Sequence, residues 1–268
     1  MTGLVRTLKA MPTLLRVGVA ETVAYRAEFL VWVLTTTQPL IMMSLMTFIT
    51  RSRPFANYDA SQFVAYYLAT LIVRQLTGNW TAWQMMDEVR LGTLAMRLLR
   101  PIHPFFAYIA QQAAAIPFRA VIALPLAIIL LVTSSGATLP HAGYQIALMP
   151  VSVALAWLVS FAVMFALGTL AFFMTQAMGV GNIYFGMFSL FSGYLLPLDL
   201  MPRVIAVMAD YLPFKSMMFI PLQLITRPQS LESCLHLLAT QAAWFVGSWL
   251  FAFFAWNRGI KRFESVGT

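Results

Sequence analysis

Residues 87–104 read DEVRLGTLAMRLLRPIHP. Two acids, three arginines, a glycine and two prolines interrupt runs that are otherwise apolar on both sides. A polar segment this short cannot fold as a domain. It can form one short helix lying at a membrane surface. What flanks it decides whether that is the right setting.

The flanks are oily throughout. Of 268 residues, 60% are hydrophobic and 10% charged, and mean hydropathy is +0.79. A soluble domain carries about 25% charged residues, so the deficit points to an all-α membrane protein. The length leaves room for roughly six spans of about 20 residues each, and little for a soluble domain. The net charge of +8 sits at span ends, where lipid and membrane insertion favour it, and so gives no reason to expect a nucleic-acid partner. Cys234 is the single cysteine, which excludes an intrachain disulfide framework and a multi-cysteine metal site. Arg6, Lys9 and Arg16 break up the first apolar residues, so no cleaved signal is expected.

Outward from the loop, the chain divides into residues 1–26, an amphipathic interfacial helix, and 27–268, a transmembrane domain. In the first part Leu4, Leu8, Met11 and Leu15 form an apolar stripe opposite Arg6, Lys9, Thr13 and Arg16. Six spans are expected at about 27–50, 61–85, 105–132, 144–174, 183–196 and 231–256. Pro117 and Pro125 interrupt the third, and a turn at Gly179, Gly181 and Asn182 precedes the fifth. Residues 197–230 are apolar but broken by five prolines. Two short helices fit there, about 202–211 and 214–225, in a re-entrant or interfacial pair. A basic tail follows the last span.

Placing the N-terminus inside puts ten Lys and Arg in inner segments and five in outer ones. The imbalance favours both termini in the cytoplasm. The 87–104 loop is then cytoplasmic and the 197–230 segment external. No G-x-x-x-x-G-K-[ST] loop, G-x-S-x-G elbow or H-E-x-x-H motif occurs, so no catalytic residue and no metal site are assigned. Arg74 and Arg119 fall inside spans. A charge there is costly and usually faces a cavity with a partner. Contact with a substrate head group and a purely structural pairing are both open for these two. All nine acids lie near span ends or in loops, which disfavours a proton-driven carrier.

Three stretches carry a family resemblance: AYRAEFLVWVL at 24–34, RLGTLAMRLLRPIHPFF at 90–106 and WNRGIKRFESVG at 256–267. With the order of spans, they resemble the small permease subunits of ABC-2 type exporters. The middle stretch looks like that family's Arg-x-Gly-x-Leu…Leu-Leu-x-Pro-x-x-Pro pattern, and Arg74-Gln75-Leu76 resembles an arginine of its second span. The resemblance implies a bacterial plasma-membrane protein that binds no cofactor and hydrolyses nothing itself. It would pair with an identical or related permease above two cytoplasmic ABC ATPase subunits, which hold ATP and Mg. Export of a lipid-like, amphipathic, polysaccharide or drug-like substrate would follow. The loop would be the coupling helix, with Arg90, Leu91, Gly92, Leu94, Arg97, Leu98, Arg100 and Pro101 facing the ATPase. Plain anchoring to lipid explains the same arginines. A carrier or scaffold without an ATPase is the competing reading.

Overall fold

The computed structural model describes residues 10–20, 37–51, 53–56, 58–133, 142–174 and 177–266. Residues 27–36 of the first expected span lie outside them, as do residues 1–9 and 21–26 of the expected amphipathic segment. Every regular element among the described residues is helical, and the one β-bridge joins Phe55 and Tyr58. In chain order the helices are α1 (Ala10–Ala20), α2 (Gln38–Ile49), α3 (Ala60–Thr77), α4 (Thr81–Arg90), α5 (Leu94–Leu98), α6 (Pro104–Ala114) and α7 (Ile116–Thr133). Then come α8 (Gly143–Gly168), α9 (Met178–Phe191), α10 (Arg203–Asp210), α11 (Phe214–Met217), α12 (Phe219–Thr226) and α13 (Leu231–Val266). Three segments are long and apolar enough to cross a membrane: Pro104–Leu130, Gly143–Phe172 and Leu231–Phe263.

The most enclosed helix is α3, packed between α2 and α7 and against α12. Its start is specified locally. The Asp59 carboxylate accepts from the Gln62 amide at 2.8 Å while the Gln62 side chain accepts from the Asp59 amide at 2.9 Å, a reciprocal capping box. Its end differs from the sequence expectation of an unbroken span over 61–85. The chain leaves the helix at Gly78, in extended conformation, and α4 begins at Thr81. A Gly-Asn pair is a poor continuation of a helix, and the Gly78 carbonyl is taken by the Arg119 guanidinium instead.

Other boundaries shift for identifiable reasons. The third span is two helices meeting at Ala115, with Pro117 in the first turn of α7, where a missing N–H costs nothing; Pro125 sits inside a helix that continues. The expected turn at Gly179–Asn182 is the first part of α9, which starts at Met178. There Trp83 presses so close that a Cβ on Gly181 would come within 2.8 Å of its ring, so packing overrides poor helix propensity. The basic tail is helical too, as α13 runs on to Val266.

The segment between α9 and α13 folds as short helices, close to expectation, with one further break at Met218. Its irregular backbone needs partners, because apolar surroundings offer no water. Tyr66 and Tyr67 donate to the carbonyls of Gly193 (2.5 Å) and Leu195 (3.0 Å). The Gln241 amide donates to the Ser216 carbonyl at 2.9 Å and the Gln145 amide to that of Leu224 at 2.8 Å. At one rim Asp199 pairs with Arg227 at 2.6 Å and accepts from Tyr58 at 3.2 Å. At the opposite end of the molecule a second core gathers Met85, Leu94, Phe105, Tyr108, Phe161, Phe165 and Trp256. Phe105 is its hub, with ring centroids 4.6–5.3 Å from Phe161, Phe165, Trp249 and Phe253. Such aromatic pairs contribute about 0.5–1.5 kcal/mol each beyond area burial.

Candidate functional site

The surface loop is built on that aromatic core. α4 runs four residues into the expected loop and stops at Arg90. The reversal needs a left-handed residue, and Gly92 supplies it at φ +73°. One turn of helix, α5, follows. Leu94 drops from it into the core and is fully buried. Pro101 and Pro104 then lead into α6, whose first turn is capped by the His103 ring: Nδ1 accepts from the Phe105 amide at 3.2 Å.

A single carboxylate braces the loop from within. Glu88 receives Arg97 in a two-pronged pair, Nη2 at 2.5 Å and Nε at 2.9 Å. It also accepts from the Tyr108 hydroxyl at 2.5 Å and from the Gln84 amide at 3.2 Å. The Arg97 guanidinium stacks on the Tyr108 ring, 4.3 Å from its centroid. Both charged side chains are about 15% exposed. A paired and stacked guanidinium in this setting holds α5 against α4 and α6.

With Leu94 and Arg97 turned inward, the outward face is different. Leu91, Met96 and Leu99 are 68%, 67% and 79% exposed, and Gly92, Thr93, Arg100 and Pro101 are exposed with them. Arg90 pairs at the surface with Asp87 at 2.9 Å. Three large exposed apolar side chains on and beside one turn of helix, with Arg90 and Arg100 nearby in the chain, are of the kind that marks a protein partner or a membrane surface. α1 borders it. A Cβ on Gly18 would lie 2.8 Å from that of Ala114, so only glycine lets α1 lie this close to α6. Leu14, Val17 and Gly18 form one wall of a cleft of about 190 Å³ whose other wall is Glu88, Met96, Arg97 and Arg100.

Of the loop residues singled out from sequence, Arg90, Leu91, Gly92, Arg100 and Pro101 are at the surface, Leu98 is half-buried, and Leu94 and Arg97 are turned inward. The two arginines that the sequence reading places within spans, Arg74 and Arg119, are brought together. Arg119 is buried and bonds the Gly78 carbonyl. A point one Cβ out from Gly78 lies 3.7 Å from Arg119 Nη1 and 4.0 Å from Arg74 Nη1, so both guanidinium groups flank the break between α3 and α4. The Arg74 guanidinium also lies 5.4 Å from the Phe188 ring centroid. Among the described residues no carboxylate forms an ion pair with either arginine. At the same break the buried Asn79 Oδ1 and Thr81 Oγ1 have no hydrogen-bond partner among the described residues. Two like charges in a low-dielectric region repel, and an anion between them would relieve that repulsion. No cluster of three His, Cys, Asp or Glu among the described residues could hold a metal ion.

Comparison with known proteins adds the decisive observation. The family model for the ABC-2 family transporter proteins matches residues 33–267. The chain belongs to that family. No curated protein matches the chain. Membership makes it a membrane component of ABC transport, as the sequence resemblance implied, in a family whose members typically work with separate ATPase subunits and are not themselves catalytic.

In this ABC-2 family member the residues that build the site from behind carry little signal in the sequence. Glu88 was one acid among two in a polar run. Its spacing of nine residues from Arg97, across a Gly-containing turn, was the available signal. Tyr108 and Gln84 lie in neighbouring helices and carry no local signal. Gln145 and Gln241 stand out as amides in apolar runs and could have been marked as partners for an irregular backbone.

Proposed function

We propose that the chain is the permease subunit of an ATP-driven exporter, one of a pair, and that a cytoplasmic ATPase docks on the outward face of residues 91–100. The observation that carries this is the division of labour in the loop. Leu94 and the Glu88–Arg97 pair secure α5 from inside, which leaves Leu91, Met96 and Leu99 presented to solvent on a rigid mount. A rigid apolar knob rimmed by Arg90 and Arg100 suits an apolar pocket with an acidic border. A lipid anchor needs no such internal bracing. In this reading two ATPase subunits bind ATP and Mg, this chain hydrolyses nothing, and movement of the braced loop is passed through α4 to the break at Gly78. Six spans with both termini in the cytoplasm of a bacterial inner membrane fit the charge count.

The cargo path would pass Arg74 and Arg119, whose unbalanced charge favours an anionic or amphipathic substrate. Co-purification in mild detergent tests the docking. Wild type should retain an ATPase subunit, and Leu91→Asp with Leu99→Asp should lose it at least tenfold while inserting normally. These exposed positions are cleaner probes than Leu94, whose replacement would dismantle the mount. Retention undiminished in the double variant removes this assignment of the loop. No ATPase retained by wild type would instead favour a carrier or scaffold.

A further inference from the structure

A second feature lies away from both the loop and the arginine pair. An apolar crevice of about 400 Å³ opens between the end of α8, the 3-10 turn Thr169–Phe172 and α13. Pro213 of the short-helix segment and Trp244 are among its lining residues. Its two hydroxyls are already spent within their own helices, Thr169 on the Ala166 carbonyl at 2.6 Å and Ser248 on that of Phe245 at 3.2 Å. The crevice is therefore almost wholly apolar and suits a hydrocarbon chain. Gly247 opens it further, since a Cβ there would meet nothing within 4 Å.

The charge beside the crevice is what distinguishes it from ordinary lipid-facing surface. The α13 residues that line it are Trp244, Gly247, Ser248, Phe251 and Ala255. Steps of three and four along the same helical stripe lead next to Arg258 and Arg262, both exposed. The Arg262 guanidinium lies 5.7 Å from the ring centroid of Phe173, itself a wall of the crevice, and that of Arg258 lies 5.2 Å from Phe254. An apolar slot thus ends at a pair of guanidinium groups held over aromatic rings at the basic end of the last span. An acyl chain with a phosphate at its head has that pattern.

We infer that this crevice is a binding site for an anionic phospholipid, with an acyl chain against Gly247 and Trp244 and the head-group phosphate at Arg258 and Arg262. The leaflet is the one that the basic end of α13 faces, which the charge count makes the inner one. The site is separate from the ATPase surface, and its occupancy does not depend on an ATPase being present.

Native mass spectrometry of the purified full-length chain tests it, with the protein released from micelles doped equally with dioleoyl phosphatidylglycerol and dioleoyl phosphatidylcholine. The unaltered chain should retain phosphatidylglycerol in preference. Arg258→Gln with Arg262→Gln should lower that retention by about 25-fold, at roughly 1 kcal/mol per basic residue near a lipid surface, and leave phosphatidylcholine unchanged. Gly247→Leu, which fills open space without touching the packed core, should reduce retention of both lipids. Equal retention of the two lipids by the unaltered chain overturns the proposal. So does selectivity that survives in both variants. If Gly247→Leu changes the proportion of dimer and leaves lipid retention unaltered, the crevice belongs to a second copy of the chain and the lipid reading fails.

Discussion

In the loop after α4, one carboxylate does the bracing: Glu88 gathers Arg97, Tyr108 and Gln84. In the segment between α9 and α13, the partners at depth are neutral, with Tyr66, Tyr67, Gln145 and Gln241 each holding backbone carbonyls. Its ion pairs, Asp199 with Arg227 and Asp210 with Lys215, are made by partly exposed side chains. Both segments are irregular chain between longer helices, and depth explains the contrast. Near water an ion pair can be made, broken and remade at modest cost. In hydrocarbon a neutral amide satisfies a carbonyl without the expense of desolvating a charge. The loop is accordingly braced by charge, and the apolar segment by neutral side chains.

The contrast is sharpest where a partner is removed. Gln241 is fully buried and holds both Ser216 and Ser152, the latter through a 2.7 Å bond accepted from its hydroxyl. Gln241→Leu leaves a buried carbonyl and a hydroxyl unmatched, which costs about 3 kcal/mol at 1–3 kcal/mol per group. Thermal unfolding in detergent should fall accordingly, at every salt concentration. An unchanged transition would mean that water reaches the segment, and the depth argument would fail.

Breaking the loop's brace comes next. Glu88→Leu strands Arg97, a loss of about 2–3 kcal/mol for a pair that keeps some exposure. Arg97→Met in the same chain should recover most of it. A double-mutant cycle read from the same unfolding curves gives the coupling, and additive losses would show that the pair contributes nothing as a pair. The smallest effect belongs to the cap of α3. Asp59→Ala should cost about 1 kcal/mol. The Asp59 carboxyl is held below its usual range by the Ser61 hydroxyl and then by the Gln62 amide. Its folded value lies below its unfolded one, near 3.9. The stabilisation is therefore present above that pH and is lost as the pH falls through the folded value. Asp59→Asn should keep the cap and remove the dependence, which unfolding curves taken from pH 6 down to pH 3 would show.

The same contrast explains what the sequence disclosed. Composition made the chain a helical membrane protein, and the prolines of 197–230 foretold short helices there, because both depend on local residue chemistry. The surface helix at 94–98 was legible from Gly92, Pro101 and the leucines between them. Which side of it faces outward was not. Leu94 and Leu99 look alike in sequence, and only the aromatic hub around Phe105 decides that one is buried and the other exposed. The break at Gly78 was hidden for a similar reason. It is completed by Arg119, forty-one positions along the chain. That Arg74 and Arg119 meet there needed the fold.

In the proposed complex the exposed leucines and Met96, rather than the inward-turned Glu88–Arg97 pair, receive the ATPase. Cysteines introduced one at a time, as Met96→Cys, Leu99→Cys and, at the far end of the molecule, Val207→Cys, allow it to be measured by maleimide labelling with and without the partner; the native Cys234 is buried. The ATPase should slow labelling at 96 and 99 at least tenfold and leave 207 unaffected. Equal labelling at all three positions, with the complex demonstrably formed, would rule this docking face out.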